Sequence, residues 1–144
     1  MTDQRLILRK LASLREHVNR MRRRHMGNLN AFVADVDLQD ALGMSLLVSV
    51  QEALDIALHF CSNQQWGLPA SYAEAFALLG SHGVITPEVA ASLAKMAALR
   101  NRLAHGYASV EMARIWHELP SGIAALETFA SSVASHLGPS TSIP

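Results

Sequence analysis

The chain has 144 residues, 50% of them hydrophobic and 17% charged, with 12 basic side chains against 12 acidic ones. That is one domain's worth of sequence, enough to bury roughly 70% of its unfolded surface around a single core, and too apolar for extended disorder. The zero net charge excludes a strongly basic nucleic-acid binder, yet it conceals a dipole: residues 1–24 hold eight Lys and Arg against Asp3 and Glu16, and the remainder holds four against ten.

Thr2 or Asp3 can cap a first helix in which Ile7, Leu11, Leu14, Val18 and Met21 recur at alternating spacings of four and three, a seam that must pack on another helix. The opposite face carries Arg5, Arg9, Arg15 and Arg20, and Arg22, Arg23 and Arg24 form a basic knot at its end. Such a knot suits a helix C-terminus, and guanidinium geometry also suits a phosphate backbone or an acidic partner. Met26 to Asp37 reads as a connection with a short turn of helix at Leu29 to Ala34. Asp37 is then the expected cap of a long helix from Leu38 to about Gln65, apolar on much of its circumference and therefore central.

Within that helix Asp55 and His59 stand at i, i+4, a spacing that fits a hydrogen-bonded pair better than a metal site lacking a third ligand. Cys61 is the only cysteine, which excludes an intrachain disulfide and reads as a small buried hydrophobe in a reducing compartment. The richest apolar stretch, Ala41 to Val50, is too short to span a bilayer, and the basic N-terminus is not followed by a signal-peptide core. A cytoplasmic protein with no membrane partner is expected.

Trp66 to Pro69 ends the long helix, and Ser71 with Glu74 makes a capping box for a helix from Tyr72 to about Ser81 that Gly83 closes. Thr86, Pro87 and Glu88 then start a helix that runs to Leu103, with Gly106 as its terminator. After a short loop, Met112, Ile115, Leu119, Ile123, Leu126, Phe129 and Val133 continue a helical period through Pro120, as one kinked helix or two consecutive ones. No strand pattern, repeat, phosphate loop or Cys/His framework interrupts this. The chain is expected to be all-α, an antiparallel bundle of about five helices over residues 1–137 with a flexible tail at 138–144.

One stretch is not scaffold. Leu99 to Tyr107 reads L-R-N-R-L-A-H-G-Y at the end of the helix that Thr86 starts. In an ideal helix Asn101 and His105 lie roughly 40° apart, but Arg100 and His105 roughly 140° apart. Arg100 therefore meets His105 through its long side chain, a loosened last turn, or a second copy of the chain. Such a set suits acid–base work on a phosphodiester, which requires a base, an acid for the leaving oxygen and cation density for the phosphorane. His105 can serve as base or acid, Arg100 can hold the phosphate oxygens, and Asn101 can orient the phosphate or the imidazole. Arg102 and Lys95 lend general positive potential, and Tyr72, Trp66 and Trp116 are expected in the core or an interface rather than as base-stacking platforms.

The series Arg100, Asn101, His105, Tyr107 resembles the R-N-x-x-x-H-x-Y motif of HEPN-superfamily toxins of the HepT type, and the order of helical blocks from Leu6 to Leu137 is similar too. The resemblance implies a HEPN-like bundle, a toxin of a type II/VII-like toxin-antitoxin system, and an endoribonuclease whose site forms at a homodimer interface. It implies a nucleotidyltransferase antitoxin that adds AMP to Tyr107, so that ATP and magnesium belong to the antitoxin and the toxin carries no cofactor and no metal. Arg22, Arg23, Arg24 and Arg102 are candidates for RNA or partner contact. A second class stays open beside it, a non-catalytic helical module that pairs with a nucleotidyltransferase and holds its substrate or nucleotide.

Overall fold

The computed structural model describes residues 3–105 and 112–137, without the side chains of residues 104 and 105. The elements are α1 (Gln4–Arg24), α2 (Leu29–Ala34), α3 (Val36–Asn63), α4 (Tyr72–Ser81), α5 (Pro87–His105) and α6 (Met112–Leu137). The expected helical bundle is present, with the short turn after Met26 counting as a sixth helix. The loop before Met112 and the tail at 138–144 lie outside the described residues.

α1 buries all five seam positions, Ile7, Leu11, Leu14, Val18 and Met21, at no more than 1% exposure against α3 and α6. Each such side chain is worth about 1.5–3 kcal/mol relative to leaving it in water. Asp3 caps the helix, its Oδ1 accepting from the Arg5 and Leu6 amides at 3.1 and 3.3 Å. α3 is the axis of the bundle and touches every other helix. The apolar run is longer than the sequence suggested: Val36–Asn63 is long and apolar enough to cross a bilayer, with mean hydropathy 1.5 in its most apolar window. Burial of 56% of that window against the surrounding helices accounts for this composition as that of a core helix.

The helix starts two residues earlier than expected. Asp35, not Asp37, has the extended cap backbone and accepts from the Leu38 amide at 3.0 Å, which leaves Asp37 in the first turn, where an acid favours the helix dipole. At the other end the Trp66 amide donates to Cys61 O at 3.0 Å and the Gln65 amide to Ser62 O at 3.4 Å, a Schellman closure with Gln65 at φ 58° where glycine is usual. α4 closes with the same pair of bonds, Val84 to Leu79 and Gly83 to Gly80, and there Gly83 takes the positive φ of 77°. Ser71 Oγ accepts from the Glu74 amide at 3.1 Å as expected, but Glu74 reaches back to the Ala70 amide at 3.0 Å.

α5 begins with Thr86 Oγ1 accepting from the Val89 amide at 3.2 Å and runs through to His105. α6 is one helix with Pro120 inside it. Proline has no N–H to give the carbonyl four residues back, that of Trp116. His25, the C-cap of α1, supplies the missing donor: its Nε2 lies 2.8 Å from Trp116 O, and its ring stacks on the indole at 3.9 Å between centroids. Phe32 of α2 packs against the same indole, so α1, α2 and the start of α6 are joined at one point.

Candidate functional site

The side chain of Arg100 lies where α3, α4 and α5 meet. From the buried positions Leu99 and Leu103, α5 presents Arg100 towards Gln51 of α3 and Tyr72 of α4. Nη2 donates to Gln51 Oε1 at 3.0 Å, and Nη1 donates to Asn101 Oδ1 at 3.2 Å and more weakly to the Tyr72 hydroxyl at 3.5 Å. The guanidinium carbon also sits 5.8 Å from the centre of the Tyr72 ring. Nε is buried and has no partner among the described residues. A buried donor left without an acceptor costs free energy, so this half-buried guanidinium is only partly satisfied by its described partners.

Beside it, Tyr72, Asn101, Ser71, Ala94 and Ala98 line a cleft of about 350 Å³. A more apolar cleft of about 400 Å³ continues along α4 and α5 past Ala73, Ala77 and Ala91. Asn101 and Tyr72 thus line the groove, and Arg100 is hydrogen-bonded to both of them from behind its wall. His105 is the last helical residue, one turn beyond Asn101; its side chain, and Tyr107 entirely, lie outside the described residues.

Three of the four remaining basic candidates have partners within the fold. Arg22 is ion-paired with Glu127 of α6, which holds that carboxyl below its ordinary pKa. Arg102 lies 3.6 Å from Glu118, which Arg114 also engages at 3.3 Å. Arg24 reaches Ser45 Oγ at 3.5 Å, and Arg23 is exposed. Asp55 and His59 do not pair with each other: Asp55 binds Gln51 and Lys10, and His59 Nε2 accepts the Asp3 amide at 3.0 Å. Among the described residues no three His, Cys, Asp or Glu side chains converge as a metal site. Cys61 is buried, and burial pushes its thiol pKa up.

Sequence reasoning missed Gln51, and it placed Tyr72 rightly against the core but missed its contact with Arg100. Nothing local connects position 51 to position 100; only the helix packing does. Tyr72 had a signal, since it is the first residue of a capped helix and its ring must land near a helix end.

A helical bundle that carries Arg-Asn one turn ahead of a histidine at the end of a central helix defines the HEPN class. Residues 7–133 match the family model described as ribonuclease HepT-like, and the chain belongs to that family of ribonuclease toxins from toxin-antitoxin pairs. It is 29% identical over 124 residues to an mRNA nuclease HepT of Shewanella oneidensis, covering 86% of this chain and 92% of the relative. A tRNA nuclease HepT of Aphanizomenon flos-aquae is 26% identical over 110 residues, covering 76% and 75%. Among solved structures, a tri-AMPylated Shewanella oneidensis HEPN toxin in complex with MNT antitoxin superposes with a TM-score of 0.83 at 28% identity, covering 94% of this chain and 99% of that one.

Proposed function

We propose that this toxin cleaves RNA by attack of the substrate's own 2′-hydroxyl, without a metal, using Arg100, Asn101 and His105. Arg100 binds the scissile phosphate and stabilises charge on its equatorial oxygens, Asn101 orients the phosphate or the imidazole, and His105 moves the proton. The observation that carries the reading is the Arg100 guanidinium bonded to Asn101, which lines the groove, with His105 a turn further along the same helix.

One histidine is one proton-transfer group, and the reaction needs a base and an acid. A homodimer that apposes two α5 helices supplies both. The exposed or half-buried small side chains Ala73, Ala77, Ala91, Ala94 and Ala98 support this pairing, because they let a second pair of helices approach closely without displacing bulk. The partner of the pair is a nucleotidyltransferase antitoxin that transfers AMP to Tyr107. The added phosphate charge and adenosine, next to Arg100 and His105, would occupy the site that takes RNA phosphate. The related S. oneidensis toxin is AMPylated and bound to an MNT antitoxin, which supports this assignment.

The test is cleavage of RNA in EDTA by the unmodified protein. His105→Ala should abolish cleavage and keep the fold, whereas Tyr107→Phe should retain most cleavage and lose neutralisation by the antitoxin, since a phenol is a weak base at neutral pH. Equal inactivity of two folded variants would place Tyr107 in the catalytic set. Ala91→Glu should yield a monomer and lose cleavage, and an active monomer by light scattering would refute the shared site. An intact RNA in every assay, with the antitoxin still bound, would favour the non-catalytic module.

A further inference from the structure

The partners of Arg100 share one property: all are neutral. Gln51, Asn101 and Tyr72 accept through an amide, an amide and a phenol oxygen, and no described carboxylate touches the guanidinium. Yet two carboxylates stand on α3 beside Gln51. Asp55, one turn along, takes the Gln51 Nε2 donor on Oδ1 at 2.8 Å and Lys10 Nζ on Oδ2 at 3.0 Å. Glu52 takes Lys10 Nζ on Oε1 at 3.4 Å.

The order of these bonds settles the orientation of the Gln51 amide. An ionised carboxylate only accepts, so Asp55 draws the NH₂ end and leaves Oε1 facing Arg100. The negative charge of α3 meanwhile faces Lys10 of α1, whose pKa is raised chiefly by its hydrogen bond to Asp55. The side chains of Lys10, Glu52 and Asp55 are 25%, 18% and 32% exposed, so this ion triad is partly shielded from solvent.

We propose that Gln51 is a positioning residue for Arg100, and that it must be neutral: it passes the fixed geometry of the Lys10–Asp55 pair to the guanidinium while leaving the charge of Arg100 to the RNA phosphate. The inference rests on the reading of Arg100 as the phosphate-binding group. A glutamate at this position would lose the donor to Asp55 but pair directly with the guanidinium, competing with phosphate for the same donors. An alanine would leave the charge and release the position.

The two substitutions therefore separate in kinetics. With a quenched fluorescent oligoribonucleotide of mixed sequence as probe and the full chain as enzyme, Gln51→Glu should raise KM about tenfold. Gln51→Ala should keep KM within about twofold and lower kcat about tenfold, the signature of a misplaced group. Should Gln51→Ala fail to fold, Asp55→Asn carries the same arm, since it frees the Gln51 amide to turn over, and it too should lower kcat at unchanged KM. Wild-type kcat and KM in these variants, beside an inactive Arg100→Ala, overturn the role of Gln51. Identical kinetics for Gln51→Glu and Gln51→Ala overturn the requirement for neutrality. Wild-type cleavage by Arg100→Ala is a separate result, and it removes the reading of Arg100 on which the inference stands.

Discussion

Two helix ends in this molecule carry clustered arginines, and one arginine from each, Arg22 and Arg100, is held in the opposite way. At the end of α1, Arg22 is bound to the Glu127 carboxylate, and the adjoining His25 is stacked on Trp116 and bonded to its carbonyl. At the end of α5, Arg100 is drawn between helices and meets only neutral oxygens among its described partners. Arg22, like Arg102 with Glu118, is knit into the fold by a carboxylate; Arg100 keeps its charge available. A basic cluster is thus informative about function only once the acceptors around it are known, because a carboxylate partner turns the same guanidinium into a joint.

The comparison breaks most sharply on activity. Arg100→Ala should lower RNA cleavage by at least about 100-fold, the usual cost of removing a group that stabilises developing negative charge. Arg22→Ala should stay within about twofold of wild type in the same assay, because its charge is already engaged. Comparable losses in the two variants would erase the distinction between the two helix ends.

A second test asks whether the α1 end is structural. His25→Ala leaves the Trp116 carbonyl without its donor and should destabilise the protein by about 1–2 kcal/mol in urea denaturation, with kcat unchanged. In a Pro120→Ala background the helix can supply its own donor, so the penalty of His25→Ala should shrink. Equal penalties in the two backgrounds would show that the hydrogen bond carries none of it.

The surface ion pair is expected to matter less. Arg22 and Glu127 are 50% and 41% exposed, so a double-mutant cycle should return about 0.2–1 kcal/mol, diminishing in salt. Since Arg22 depresses the pKa of Glu127, that stabilisation is present above the ordinary carboxyl range near 4.5 and is lost as pH falls through the lowered folded value. Glu127→Gln should flatten this part of the acid denaturation curve, and an unchanged slope would count against the pairing. The effect with the least room is Gln65→Gly, which relieves a positive φ and should gain at most about 1 kcal/mol in thermal or urea denaturation. A loss of stability there would mean that the Gln65 side chain contributes more than its backbone costs.

Much of the bundle was legible because its signals are local. The seam of α1, the Ser71 box, the Thr86 start and the span of α4 each depend on residues within a turn or two of one another. The start of α3 was misread because Asp35 and Asp37 are equally good caps in sequence, and backbone geometry chose between them. The motif could be read as Arg100, Asn101 and His105 along one helix. Its surroundings could not: Gln51 and Tyr72 reach Arg100 across 49 and 28 residues of chain, and Lys10 reaches Asp55 across 45. Non-local contacts of this kind leave no periodicity to find.

Pro120 has a consequence for how the molecule opens. The rung missing at Trp116 means that the first two turns of α6 are continuous with the rest of the helix in shape but less so in hydrogen bonding, while His25 bonds them to α1. A break in the ladder is a natural boundary for cooperative local unfolding. Amide exchange should therefore divide α6 near Pro120, with the amides of residues 113–119 exchanging together with those at the end of α1, and those of residues 123–137 following the slow core around Phe129.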